Sequence, residues 1–75
     1  MFINITMHMG NTRQDIRIDN GQTIKTAIQI LRQSSKLPMG DMPEYLRSKV
    51  SNNLVSANKS FFEENIFDGD ILSQI

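Results

Sequence analysis

Cysteine is absent from these 75 residues. No disulfide can staple the chain, no thiolate can hold a metal, and no cysteine nucleophile exists. That suits a reducing cytoplasm, the compartment expected here. No apolar run approaches the ~18 residues that would read as a membrane-spanning helix. The N-terminus lacks a basic stretch leading into a long apolar segment, so no signal peptide is expected. Net charge is absent too: eight basic and eight acidic residues cancel, whereas nucleic-acid binders usually carry a basic surplus. Neither nucleic-acid binding nor membrane insertion is therefore expected. The charges are unevenly placed, with all bases between Arg13 and Lys59 and only Glu63, Glu64, Asp68 and Asp70 after Ser60. A chain this short buries only about 60% of its unfolded surface, which calls for one domain, residues 1–75, with a compact core.

What is present is clear periodicity. Ile3, Ile5, Met7 and Met9 alternate with Asn4, Thr6 and His8, the pattern of a half-buried strand. Gly10-Asn11-Thr12 is turn material, and residues 13–18 alternate again with Ile16 and Ile18 inward, so the two strands make a hairpin. Asp19-Asn20-Gly21-Gln22 breaks the second strand, and Thr23 can cap a helix. Ile24, Ala27, Ile28 and Leu31 stand at i, i+3, i+4 and i+7, an apolar helical stripe, with Lys25, Gln29 and Arg32 on the opposite side. The helix should fade near Ser34-Ser35. Pro38, Gly40 and Pro43 mark a connection. Leu46, Ser48 and Val50 alternate with Arg47 and Lys49 as a third strand, and Leu54-Val55 opens a fourth after the Ser51-Asn52-Asn53 turn. Ser60 can cap one helical turn through Phe61-Phe62-Glu63-Glu64, whose acids suit a helix N-terminus. Asp68-Gly69-Asp70 turns into a last strand from Ile71 to Gln74. Its inward side is left open between Ile71, Ser73 and Ile75 on one face and Leu72 and Gln74 on the other. A hairpin, one long helix and a returning sheet predict an α+β β-grasp: a mixed sheet with the helix packed across one face.

Few residues suggest chemistry. Met7-His8-Met9 has soft ligands suited to Cu(I), but strand alternation sends both methionines one way and His8 the other. No metal or other cofactor is expected. His8 has no nucleophile and orienting partner to complete a catalytic set, and Glu63-Glu64 reads as a solvated turn, so the chain is not expected to be an enzyme. Alternation places Asn4, Thr6 and His8 together on the outer face of the first strand. Thr6 there is either an ordinary β-favouring residue or a contact residue. If Phe61 and Ile66 point inward, one or both of Phe62 and Phe67 stay exposed. Single exposed apolar residues are normal, but aromatic anchors also carry interfaces. Asn4, Thr6, His8, Phe62 and Phe67 are the candidate partner-binding residues.

The chain is similar to ubiquitin over nearly its whole length: the Gly10-Asn11-Thr12 turn, Thr23-Ile24 opening the helix, and Phe61, Asn65 and Ile66 match in position. It resembles more closely the YukD/EsaB-like ubiquitin-fold proteins of bacterial type VII (WXG100, Ess-type) secretion, through Phe2-Ile3-Asn4-Ile5-Thr6 and Ile66-Phe67-Asp68-Gly69-Asp70-Ile71-Leu72. The resemblance implies a small cytoplasmic accessory or regulatory protein of the secretion machine that works by binding protein partners. It also implies that a first-strand threonine important for secretion falls on Thr6. The region of ubiquitin's apolar recognition patch, near His8, Lys49 and the last residues, is polar here. With no Gly-Gly pair at the end of the sequence, a non-conjugated role is expected. The alternative is a β-grasp adaptor or structural module unrelated to secretion.

Overall fold

The structure, a computed structural model, describes residues 1–75. Strand β1 (Phe2–Met9) and strand β2 (Thr12–Asp19) pair antiparallel from Met9 opposite Thr12 to Phe2 opposite Asp19. The two-residue loop has its positive φ on Gly10 alone, the position where a type II′ hairpin turn places glycine. Ile3, Ile5, Met7 and Met9 are all buried, as the alternation predicts.

Helix α1 (Ile24–Gln33) starts at Thr23, whose hydroxyl accepts the Thr26 N–H at 3.1 Å. The predicted stripe of Ile24, Ala27, Ile28 and Leu31 is buried along its length. The helix closes with a double bond pattern: Ser35 N–H donates to the Arg32 carbonyl at 3.0 Å, and Lys36 N–H to that of Leu31 at 2.8 Å. Ser35 stands at φ 58°. This is a Schellman closure with serine at the left-handed position where glycine is usual. Leu37, just beyond, turns back into the core. Arg32 departs from the solvent-facing role its helical position predicts. Its guanidinium donates to the carbonyls of Pro38, Gly40 and Asp41 at 2.9, 3.0 and 3.2 Å, so one side chain organises the connection that follows the helix.

Strands β3 (Tyr45–Ser48) and β4 (Leu54–Ser56) pair antiparallel, and strand β5 (Ile71–Gln74) inserts between β1 and β3, parallel to the first and antiparallel to the second. The mixed sheet runs β2-β1-β5-β3-β4. Leu72, opposite both Met7 and Ser48, is the buried residue of β5; that pairing settles the inward face, and Ile75 remains exposed. Val50 does not continue the inward alternation of β3. The chain turns after Ser48, Val50 N–H donates to the Asp70 carboxylate at 3.1 Å, and the valine side chain is 76% exposed.

Residues 61–65 form a single turn, as expected, with Glu64 N–H donating to the Ser60 carbonyl at 3.1 Å. Ser60 and Glu63 cap it reciprocally: the serine hydroxyl accepts Glu63 N–H at 3.0 Å, and the glutamate accepts Ser60 N–H at 3.0 Å. This is the capping-box arrangement. Asn65 at φ 56° ends the turn and directs Ile66 inward. Phe61 and Ile66 join α1 and the inner sheet face in one cluster of 16 buried apolar residues.

Candidate protein-binding surface

The core face of β1 is spent on the helix, so its outer face carries the candidate residues. A two-residue hairpin loop fixes the neighbours: Asn4 lies opposite Arg17, Thr6 opposite Asp15 and His8 opposite Arg13. On the other flank, parallel β5 sets Ile71 beside Thr6 and Ser73 beside His8. Asn4 is exposed, while Thr6 and His8 are half-buried.

Thr6 is not a free hydroxyl. Its Oγ1 donates to Asp15 Oδ1 at 2.6 Å. A hydroxyl has one proton to give but two lone pairs, so the Thr6–Asp15 pair presents acceptors outward and no donor. Asn4 is also engaged. Its backbone N–H and side-chain amide donate to Asp68 Oδ1 at 2.7 and 3.3 Å, and its carbonyl accepts Gly69 N–H at 2.7 Å. Thr6 N–H donates to the Asp70 carbonyl at 3.0 Å. The Asp68-Gly69-Asp70 turn is thus bolted to β1. Between them lies a shallow pocket of about 310 Å³, lined by Asn4, Ile5, Thr6, Asp15 and Gly69.

The structure therefore brings Asn4 and Thr6 to one pocket. His8 lies further along the strand, outside that pocket and beside Arg13 and Ser73. Phe62 and Phe67 are 71% and 70% exposed. Phe67 lines a second pocket on the far side of the 68–70 turn, and Phe62 does not. Phe62 N–H is held instead by the Asn20 carbonyl at 2.9 Å, beside the connection from β2 to α1. Asp15 and Asp68 belong to the site and were not among its sequence candidates. Thr12 joins β2, so the loop is two residues where the sequence suggested the three of Gly10-Asn11-Thr12, and that register sets Asp15 opposite Thr6; Asp68 is 64 residues from Asn4 and no local pattern points to it.

Two carboxyls are held below their ordinary range. For Asp19 the first cause is the Gly21 N–H, followed by the neighbouring amino group of Met1. For Glu63 it is the Ser60 N–H, followed by the Ser60 side chain. Hydrogen bonds to the ionised form favour it. No three His, Cys, Asp or Glu side chains converge to hold a metal ion. No helix is long and apolar enough to cross a membrane.

The helix-spanned mixed sheet in the order β2-β1-β5-β3-β4 defines a ubiquitin-like β-grasp. Neither a family model nor a curated protein matches the chain. Among solved structures it is similar to the EccD5 ubiquitin-like domain from Mycobacterium xenopi, at 18% identity and a TM-score of 0.59, over 97% of this chain and 91% of that one. That likeness is one of fold.

Proposed function

We propose that this chain is a ubiquitin-fold, protein-binding accessory or regulatory module of a type VII secretion system. It acts in the cytoplasm, without catalysis, conjugation, cofactor or nucleic acid. The observation that carries the reading is the likeness in fold to the EccD5 domain, a type VII component, along almost the whole chain. The resemblance of the first strand and of the Ile66–Leu72 segment to the YukD/EsaB-like proteins supports the same assignment. Thr6 is the residue that resemblance singles out, and it lies at a pocket wall with its hydroxyl committed to Asp15. The pair offers two kinds of acceptor, a hydroxyl lone pair and a carboxylate, to N–H or O–H groups of a partner.

Thr6→Val keeps the shape and β-branching while deleting the hydroxyl. One such bond contributes about 0.5–1.5 kcal/mol, and more where a partner donor is left buried and unpaired. The variant should stay folded, and secretion of WXG100 substrates should fall when it replaces the native chain in a complementation assay. Normal secretion by a stably folded Thr6→Val protein would remove the hydroxyl from the mechanism.

A further inference from the structure

We propose that a second pocket, between Phe67 and Val50, receives an arginine side chain of a partner polypeptide. This inference does not depend on the secretion reading, because it concerns a second pocket, joined to the first only through Asp68, and applies whatever process the partner serves. The pocket holds about 230 Å³ and lies where the 48–51 turn faces the 65–70 segment. Phe67 and Val50 line it and are 70% and 76% exposed. Neither belongs to the core cluster, so both offer apolar surface that a partner could cover.

The walls are rigid for a local reason. The buried Asp70 carboxylate accepts Val50 N–H at 3.1 Å, Ile71 N–H at 2.7 Å and the Ser48 hydroxyl at 2.5 Å. Asp70 N–H in turn donates to the Phe67 carbonyl at 3.2 Å. One residue thus ties the valine wall to the phenylalanine wall. The backbone beneath both walls is therefore already ordered before a ligand enters.

The charge of the lining selects the ligand. Asp68 and Asp70 line the pocket, and no lysine or arginine does. Asp70 is fully engaged inside the fold. Asp68 uses Oδ1 for Asn4, while its Oδ2 accepts no hydrogen bond within the chain. A cation with an apolar stem complements an apolar rim and one free carboxylate oxygen. Arginine fits better than lysine: its flat guanidinium can lie on the Phe67 ring while an N–H reaches Asp68 Oδ2, and it is the more weakly hydrated cation.

The test is a titration of ¹⁵N-labelled protein with the capped tripeptide Ala-Arg-Ala, and with matched peptides carrying lysine or citrulline. Saturable amide shifts are expected at Val50, Ser51, Asn65, Phe67 and Asp68. The arginine peptide should bind about tenfold tighter than the citrulline one, as loss of a charge-assisted bond predicts. Phe67→Ala and Asp68→Asn should each weaken it by a similar factor. Asp68→Asn keeps an oxygen for Asn4 N–H, and Phe67→Ala removes an exposed ring, so both should fold. If either does not, the citrulline comparison on the unaltered protein still decides. Equal binding of citrulline or lysine, shifts confined to another face, or no saturable shift would each overturn the assignment.

Discussion

At the scale of single residues, Asp70 is the most constrained polar group in the molecule. It is 3% exposed, and its two oxygens serve three donors. Burying a carboxylate is tolerable only when its hydrogen bonds are replaced, and here no buried side-chain polar atom lacks a partner. Asp70→Ala would orphan two backbone N–H groups and the Ser48 hydroxyl, at about 1–3 kcal/mol for each donor that water cannot reach. We expect a loss of about 3 kcal/mol or more. Asp70→Asn retains an acceptor for the backbone donors and should lose about 1 kcal/mol. Urea midpoints at constant m-value measure both. Equal, near-native midpoints for the two variants would show that the carboxylate does not hold the turn. The same reasoning explains why Thr6 differs from Asp70. Its single side-chain bond lies on an exposed pair, where water can substitute for whatever is removed.

At the scale of elements, helix α1 shows both what local pattern can reveal and where it stops. Its buried stripe follows from period alone, and truncating Ile28 or Leu31 to alanine would remove core volume worth about 2–5 kcal/mol. Its end is less obvious. A serine pair reads as a fading helix, yet Ser35 adopts the left-handed conformation that closes the last turn. For a non-glycine residue that conformation costs about 1–2 kcal/mol. Glycine does not pay this, although it gives back part of the gain through a more flexible unfolded chain. Ser35→Gly should therefore stabilise the protein by about 0.5–1 kcal/mol, seen as a higher denaturation midpoint. A lower midpoint would mean that the serine side chain contributes something beyond the cap. Arg32 belongs to this scale as well. Helical period marks it as solvent-facing, but long side chains can reach backbone carbonyls beyond their own element, and Arg32 reaches three.

At the scale of the whole molecule, formal neutrality conceals a division of labour among charges. Asp15, Asp19, Glu63, Glu64, Asp68 and Asp70 all accept hydrogen bonds within the chain, many from backbone N–H groups. No lysine or arginine side chain forms an ion pair with a carboxylate; the single ion pair joins the Met1 amino group to Asp19. Acids therefore shape turns, while most bases remain available to solvent. The two depressed carboxyls, Asp19 and Glu63, link this to pH. Because their folded pKa values lie below the unfolded ones, their contribution is complete above the ordinary carboxylate range of about 4 and is lost as pH falls through the folded values. Thermal midpoints should accordingly fall as pH drops below the ordinary carboxylate range. Glu63→Gln keeps an oxygen for Ser60 N–H but loses the charge. The variant should be less stable than the native chain near neutrality, and the difference should shrink as acid protonates Glu63. A difference that stays constant with pH would detach Glu63 from acid stability.

Two periodicities, near 2 and near 3.6 residues, were enough to determine the hairpin, the helix, their inward faces and hence the β-grasp layout, because burial of a strand or helix face is written locally in residue order. That Asp15 faces Thr6 was decided by the loop as it forms, with Thr12 inside β2 and only Gly10-Asn11 between the strands, not by the three-residue turn read from Gly10-Asn11-Thr12. Pairing between distant segments is not written that way. The inward side of β5 was decided by its insertion between β1 and β3, which puts Leu72 against Met7 and Ser48. The outward turn at Val50 was decided by an aspartate 20 residues further on, against an alternation that pointed it inward. The division of the exposed aromatics, Phe67 at a pocket and Phe62 away from it, was likewise decided by where the Asp68-Gly69-Asp70 turn docks on β1. Each of these depends on hydrogen bonds that exist only once the sheet has assembled, and such bonds leave no period in the chain.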